Sequence, residues 1–241
     1  MAKYLKIFPT QGKYNEYIAA GYPKPNISYI LDEMKTIFTD YELDPPSPVI
    51  TGVLMEDLDT LTTWNINKAV KSVVIPPRIT MLPDSSFYQY GFLESVELPD
   101  GLVYIGDSCF SACLALKSID IPAAVEQIGV TAFSGCTFLE HVNGLGDCKI
   151  TTLPSRCFQN CVNLTEAELP STVTAMNAGC FNNCSQLQSL TIKATTPPTL
   201  GTNALNNTHA DLKIYVPADS VEAYKAASGW SAYATKIQAI P

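Results

Sequence analysis

The sequence predicts an α+β repeat protein: a solenoid of about seven rungs of 23 residues, mostly short strands with one helical turn per rung. Three observations predict it: a phenylalanine that recurs at a near-constant interval, a strand pattern that recurs with it, and a proline at the strand end. A period of this length is typical of stacked units, because no single unit can bury its apolar face alone. The intervals are 23, 23, 25 and 23 residues, between Phe87, Phe110, Phe133, Phe158 and Phe181.

Each predicted strand shows alternating apolar and polar residues, the period of a half-buried strand. Residues 93–99 read Leu-Glu-Ser-Val-Glu-Leu-Pro, and residues 116–122 repeat this form 23 positions later. The proline lacks an amide donor and therefore ends the ladder. A second apolar pair, such as Leu102 with Ile105, precedes a phenylalanine-centred segment such as 109–113. That segment is too short for an independent helix and predicts a single helical or 3₁₀ turn.

The predicted solenoid spans residues 49–216, with a degenerate first rung in which Val53 lies 23 positions before Pro76 and Trp64 lies 23 before Phe87. The one 25-residue interval contains residues 143–147, Asn-Gly-Leu-Gly-Asp. Two extra residues and two glycines indicate a loop that bulges from one rung.

Two flanking segments lie outside the repeat. Residues 1–48 are predicted to form an N-terminal helix and hairpin segment, either a cap that protects the first rung from edge pairing or a docking piece. Residues 217–241 are predicted to form a C-terminal cap, with a short helix from Asp219 or Ser220 to Ala227. Its apolar cover is predicted to come from Trp230, Tyr233, Ile237 and Ile240.

Charge and composition argue against several functions. The 241 residues carry a formal net charge of −8 and no Lys/Arg cluster, which disfavours nucleic-acid binding. No apolar run approaches the length of a membrane-spanning helix, so we expect no membrane insertion. The first nine residues show no apolar core of signal-peptide length, which leaves the compartment open.

Eight cysteines are the most conspicuous candidates for chemistry. Zinc needs four ligands that converge on one point, whereas cysteines at equivalent repeat positions would lie in parallel columns along the stack. Parallel Cβ vectors also disfavour disulfides, although neighbouring rungs lie within range. We therefore expect buried free thiols, with a disulfide or a metal site as less favoured alternatives. One column is Cys113, Cys136, Cys161 and Cys184; another is Cys109, Cys157 and Cys180, with Cys148 in the insertion.

Catalysis has little support in the sequence. Only His141 and His209 could serve as an imidazole base, and the nucleophile, phosphate-loop and metalloprotease motifs are absent. No catalytic residue, metal ligand or cofactor is therefore predicted.

The outward strand positions form the candidate binding surface. If Val96 and its equivalents face inward, two outward columns share one sheet face. One column is Ser72, Ser95, Ser118, His141, Glu166, Ser189 and Lys213; the other is Val74, Glu97, Asp120, Asn143, Glu168, Thr191 and Tyr215. The hypothesis is a recognition face for a basic or polyhydroxyl partner, and the alternative is a solvated face that charge keeps soluble. The candidate binding residues are Glu97, Asp120, His141, Asn143, Glu166, Glu168, Thr191 and Tyr215.

The repeat L-x-x-V/I-x-L/I-P, then V-x-x-I-G, then A/C-F-x-x-C-x-x-L resembles the BspA-like leucine-rich repeat family. The resemblance is clearest over 93–113, 116–136 and 164–184, extends over 49–241, and does not cover 1–48. It implies a right-handed, curved β-solenoid-like stack. It also implies surface or secreted proteins of anaerobic bacteria and some protists, linked to adhesion and host-protein binding, and it brings no catalytic residues.

Together these observations predict a leucine-rich-repeat solenoid that binds a protein or a glycan without catalysis, in an adhesion-related role, through its outward strand face. The alternative is a structural assembly module docked through residues 1–48, and an enzyme ranks third. The resemblance suggests the cell surface or secretion.

Overall fold

The computed structural model describes residues 4–6, 52–54, 68, 70–75 and 77–241. Sixteen short strands lie within these residues. In chain order they are β1 (Tyr4–Lys6), β2 (Gly52–Leu54), β3 (Ser72–Val74), β4 (Met81–Leu82), β5 (Ser95–Glu97), β6 (Tyr104–Ile105), β7 (Ser118–Asp120), β8 (Gln127–Ile128), β9 (His141–Asn143), β10 (Thr152–Leu153), β11 (Glu166–Leu169), β12 (Ala175–Met176), β13 (Ser189–Ile192), β14 (Thr199–Leu200), β15 (Lys213–Val216) and β16 (Ile237–Ala239).

Helical structure is confined to short segments in the described part of the chain. The 3₁₀ helices are Leu145–Asp147, Ala218–Ser220 and Ser231–Lys236, and the α-helix α1 is Val221–Ala226. Among the described residues, no helix has both the length and the apolar character needed to cross a membrane.

The strands stack in two columns, and every pairing is parallel. The front column contains the longer strands, in three ladders: β1-β2-β3-β5, β7-β9 and β11-β13-β15-β16. The back column contains the two-residue strands, in the ladders β4-β6-β8 and β10-β12-β14. From β3 to β14 each turn of the chain adds one strand to each column, which is the predicted repeat of short parallel strands.

The phenylalanine column lies at the centre of the core. Consecutive rings stack with centroids 5.1, 5.5, 5.2 and 5.4 Å apart and with planes within 9° of parallel. All five phenylalanines are fully buried. The inward strand positions are buried as predicted: Val73, Val96, Ile119, Val142, Ala167, Leu190 and Ile214. The core is therefore one continuous row of layers, and each rung covers its neighbour.

The segment around each phenylalanine forms tight turns rather than a continuous helix. The amide of Cys113 donates to the carbonyl of Phe110 at 3.2 Å, an i→i+3 bond of the 3₁₀ type. The amide of Phe110 instead donates to Ala132 in the next rung, at 2.7 Å. Because bonds within the turn alternate with bonds along the stack, the predicted helical turn cannot extend.

The first rung departs from the predicted period. Val53 pairs with Val73, 20 positions later, so its predicted alignment with Pro76 is wrong. Parallel pairing follows the hydrogen-bond register between strands, and a rung with a shorter connection therefore loses the 23-residue interval. Strand β1 pairs in parallel with β2, Leu5 opposite Val53. Trp64 of the predicted first rung lies outside the described residues, and so do the helix and hairpin predicted within residues 1–48.

The C-terminal residues cover the last rung. Tyr224 and Trp230 are fully buried and make an edge contact at 5.4 Å. The Tyr224 hydroxyl donates to the carbonyl of Ala194 at 2.8 Å, and the Trp230 Nε1 donates to that of Pro198 at 2.7 Å. Ile237 lies in β16, an unpredicted strand that extends the front ladder. Ile240 is 38% exposed, so its predicted role as apolar cover is wrong.

Phe133→Ala should lower the free energy of unfolding by about 3–5 kcal/mol, because it removes a ring stacked on both sides and leaves a cavity. Phe138→Ala is the matched control, since this ring is 54% exposed, and its effect should stay within about 0.5 kcal/mol. Urea unfolding followed by circular dichroism measures both. Equal losses in the two variants would contradict the importance of the stack.

Candidate binding face

The predicted outward columns form one solvent-accessible surface, here called the front face. Strand register places equivalent residues opposite one another: Ser118 with His141, Asp120 with Asn143, and Glu168 with Thr191. Six of the eight candidate residues are exposed, whereas Thr191 and Tyr215 are half-buried. The front face thus brings the candidates together in rows, one rung apart.

Polar side chains on the front face bond to one another along the stack. The Asn143 amide Nδ2 donates to the Asp120 carboxylate at 2.7 Å, and the Ser95 hydroxyl donates to that of Ser72 at 3.0 Å. His141 Nδ1 lies 3.9 Å from a carboxylate oxygen of Glu166, across the gap between β9 and β11. Rung spacing holds these groups in a fixed geometry before any partner binds.

The front face becomes concave beside the two-residue insertion. A cavity of about 230 Å³ opens where the chain passes from β9 to the 3₁₀ helix Leu145–Asp147 and faces β11. Its polar lining includes Asn143, Asp147, Glu166, Glu168 and Thr191. Four of the eight candidate residues therefore converge on one cavity.

The insertion is not the free loop that the sequence predicts. Leu145 is fully buried, so the extra residues place a side chain in the core. Gly144 makes this turn with a φ of 71°, and a Cβ there would lie 2.2 Å from the carbonyl oxygen of Ile121. Gly146 permits a second close approach, since its Cβ would lie 2.6 Å from Glu168 Cγ. The two glycines allow the insertion to pack closely against the strands.

Lys193 is a site residue that the sequence analysis missed. Its Nζ donates to the carbonyl of Gly146 at 3.2 Å and lies 3.0 Å from the Asp147 carboxylate, and it also pairs with Glu168. Hydrogen bonds to Glu168 and then Asp147 raise the pKa of Lys193. Lys193 follows β13 at the repeat position where Pro170 follows β11. This lysine in place of the usual proline was the feature of the sequence that could have pointed to it.

The ion pair between Lys193 and Glu168 divides the acidic residues of the front face into two groups, compensated and uncompensated. The Glu168 charge is compensated by Lys193. Glu97, Asp120 and Glu166 form no ion pair with a lysine or arginine within the described residues. The negative charge available to a partner therefore lies with these three carboxylates and not with Glu168.

The cysteines are buried free thiols, as predicted. In the longer column each Sγ donates to the carbonyl of the phenylalanine one rung earlier, as Cys113 does to Phe87 and Cys136 to Phe110, both at 3.1 Å. Burial raises the pKa of Cys113 and of Cys180 to about 12. Within the described residues, no group of three His, Cys, Asp or Glu side chains could hold a metal ion.

An open stack of parallel strands around a stacked aromatic column places the chain among leucine-rich repeat proteins. The chain belongs to the BspA-type leucine-rich repeat family, whose repeat region matches residues 65–149 and 145–227 in six copies. No curated protein matches it significantly.

Several solved bacterial structures are similar to this chain. The T. pallidum leucine-rich repeat protein is 22% identical, with 75% of this chain and 85% of that chain covered and a TM-score of 0.55. A leucine-rich repeat protein from Eubacterium ventriosum is 25% identical over 62% of this chain and 43% of that one, with a TM-score of 0.45. A leucine-rich cell surface protein from Faecalibacterium prausnitzii is 21% identical over 83% and 54%, with a TM-score of 0.46. The T. pallidum protein supports the fold.

Gly144→Ala should lower the free energy of unfolding by about 1–3 kcal/mol or more. Gly144 has a positive φ, and the added methyl group would meet the carbonyl oxygen of Ile121. Gly91→Ala is the control, since a Cβ there would meet its nearest neighbour at 4.0 Å. Thermal unfolding measures both variants. A Gly144→Ala protein as stable as the control would contradict the described turn.

The buried thiols predict a loss of stability at alkaline pH. Burial raises the pKa of the Cys113 thiol from 9.0 to about 12, so the unfolded chain loses this proton at lower pH than the folded chain. The contribution of the protonated Cys113 thiol to the free energy of unfolding is complete below about pH 9 and is lost as the pH rises toward about 12. Urea unfolding at pH 8 and 10.5 should show a decrease of at most about 2 kcal/mol per protected thiol. Cys113→Ala should make the decrease shallower, and an unchanged decrease would contradict this assignment.

Proposed function

We propose that this chain is a non-catalytic protein-binding solenoid, and that its front face contacts a partner carrying basic side chains. The observation that carries the proposal is the set of three carboxylates, Glu97, Asp120 and Glu166, that stand exposed on one side of the stack without a compensating lysine or arginine in the described residues. Solenoids offer extended surfaces of this kind for recognition.

The geometry favours contact at several points. Each carboxylate projects from a strand of a different parallel ladder, and the three ladders stack on one continuous core. A partner therefore meets groups that are already ordered, so binding costs little conformational entropy in the solenoid. Exposed negative charge also speeds association with a basic partner and makes the rate sensitive to salt.

The cavity beside the insertion adds a place for one protruding side chain. A lysine or arginine of the partner that entered it would meet Glu166, and the His141 imidazole lies 3.9 Å from the same carboxylate. A polyhydroxyl partner would instead use the hydrogen-bonded pair of Asp120 and Asn143. The uncompensated charge favours the basic protein, and adhesion is the role consistent with the family.

The alternative role, docking through residues 1–48, has less support. Within that segment β1 pairs in parallel with β2, which adds a strand beyond the first rung. A strand added there covers an edge that would otherwise be open to pairing. This pairing supports the cap and not the docking piece.

Charge reversal on the front face should abolish partner capture. The immobilised protein is exposed to extracellular-matrix extract and to lysate of the producing cells, and capture is compared with that of Glu97→Lys/Asp120→Lys/Glu166→Lys. Capture by the triple variant should fall at least about tenfold, and wild-type capture should weaken as salt is raised, because both remove the same attraction.

A charge-matched control separates the front face from net charge. Asp100→Lys/Asp211→Lys/Asp219→Lys changes three exposed acidic residues that lie outside the outward columns and, like the front-face carboxylates, pair with no lysine or arginine in the described residues. This control should retain capture. Unchanged capture by the front-face variant, or an equal loss in the control, would overturn the proposal, and loss of capture after removal of glycans from the extract would indicate a glycan partner instead.

A further inference from the structure

Three exposed apolar side chains lie where the phenylalanine turn passes into the front strand. Phe92, Leu114 and Phe138 are 64%, 46% and 54% exposed and are here called the apolar corner. Phe92 and Phe138 follow the stacked Phe87 and Phe133 by the same five positions, and Leu114 follows Phe110 by four. The apolar corner therefore draws on three successive rungs, with Leu114 one position before Ala115, which is the equivalent of Phe92 and Phe138 in its rung.

The core does not require these side chains. The residues that follow Phe92 and Phe138, Leu93 and Leu139, are fully buried and complete the packing of their rungs. In later rungs the position of Phe92 and Phe138 is occupied by Asn163 and Gln186. The same fold thus accepts a polar residue at this position, so packing does not explain two exposed aromatic rings there.

Two rungs of the apolar corner also carry a carboxylate at the far end of the front strand. Glu97 lies in the rung of Phe92, and Asp120 lies in the rung of Leu114. Neither forms an ion pair with a lysine or arginine in the described part of the chain. Closer to the corner, Glu94 is compensated by Lys71 at 2.6 Å. The exposed Lys117 also lies between Leu114 and Asp120, so the charges nearest the apolar corner are mixed. The uncompensated carboxylates form an acidic row at the far end of the same front strands, in the rungs of Phe92 and Leu114.

The spacing of the rungs matches the repeat of an α-helix in a partner better than that of an extended strand. The rings of the three rungs are 5.1 and 5.5 Å apart. An α-helix advances about 5.4 Å per turn, so side chains at i, i+4 and i+7 would meet successive rungs. An extended strand repeats each face at roughly 6.6 Å and would lose register over the same rungs.

We propose that the apolar corner binds an amphipathic α-helix of a partner protein, oriented along the stack. Its apolar stripe contacts Phe92, Leu114 and Phe138, and its lysine or arginine residues face Glu97 and Asp120. The aromatic rings supply the anchors that dominate binding energy, and the acidic row sets the orientation of the helix. This inference rests on the proposed binding role of the front face and names the partner's structural class.

A synthetic peptide tests it directly against the full chain. The probe is an alanine-based helix of about five turns, with leucine at i, i+4 and i+7 and lysine along one flank. Its isomer has the same composition, with leucine and lysine rearranged into strict alternation. The helical peptide should bind saturably in fluorescence anisotropy and weaken with salt. No saturable binding, or equal binding of the isomer, would overturn the inference.

Matched variants locate the contact. Phe92→Ser/Phe138→Ser should weaken peptide binding at least about tenfold, since anchor residues carry most of the affinity. Met81→Ser/Val130→Ser removes two other exposed apolar side chains, 58% and 43% exposed, and should leave binding unchanged. Unfolding curves confirm that both double variants fold. An equal effect of the two double variants would overturn the inference.

The two proposals can fail separately. If the corner variant loses the peptide yet keeps the captured partner, and capture still depends on the three carboxylates, the helix inference fails and the front-face proposal stands. If the carboxylate variant keeps its capture while the corner variant loses both peptide and partner, the front-face proposal fails and the helix inference survives through its apolar contact.

Discussion

The stacked phenylalanine rings and the hydrogen bonds of the parallel strands keep one repeat distance through the rungs from Phe87 to Phe181. Rings 5.1–5.5 Å apart leave room for one strand per rung in each column and for one chain of hydrogen bonds along each turn. The same spacing places each cysteine Sγ of the longer column within 3.0–3.1 Å of a phenylalanine carbonyl in the preceding rung. Each of these carbonyls already accepts an amide three residues further on, as Phe110 does from Cys113, so the thiol is a second donor to the same oxygen. The small buried thiol thus finds an acceptor of its own, which accounts for cysteine at this position without metal or disulfide chemistry.

The side chains that stabilise the stack and those of the proposed binding face lie in different parts of each rung. The rings and thiols face inward, whereas the outward strand positions contribute little to packing and are free to vary. The front face therefore carries charge and a cavity, with the apolar corner at the start of the front strands, without disturbing the core. The insertion is where the two roles meet: Leu145 enters the core, Gly146 lets Glu168 approach, and Lys193 joins insertion and strand through its ion pairs. The local charge of the front face thus depends on how the insertion, several residues away along the chain, packs into the core.

Prediction from sequence succeeded where the repeat is regular and failed where it is not. Alternation in 93–99 and its copies was enough to assign inward and outward residues, because a strand has a period of two and the stack repeats it. Val53 was misaligned because a fixed interval does not hold when a connection changes length. The pairing of β16 was missed because its partner β15 is met only after the chain folds back through α1.

The sequence by itself determined the solenoid, its family, its buried phenylalanines and thiols, and the two outward columns, since each follows from periodicity and each residue needs only its neighbouring rungs. Only the tertiary structure decided which carboxylates remain uncompensated. Lys193 and Asp147 are 46 residues apart in the chain and 3.0 Å apart in space. It also decided that the insertion makes a cavity and that the apolar corner runs along successive rungs. These are properties of distance between rungs, which the stacked rings and the hydrogen bonds along the stack fix together and which no local pattern contains.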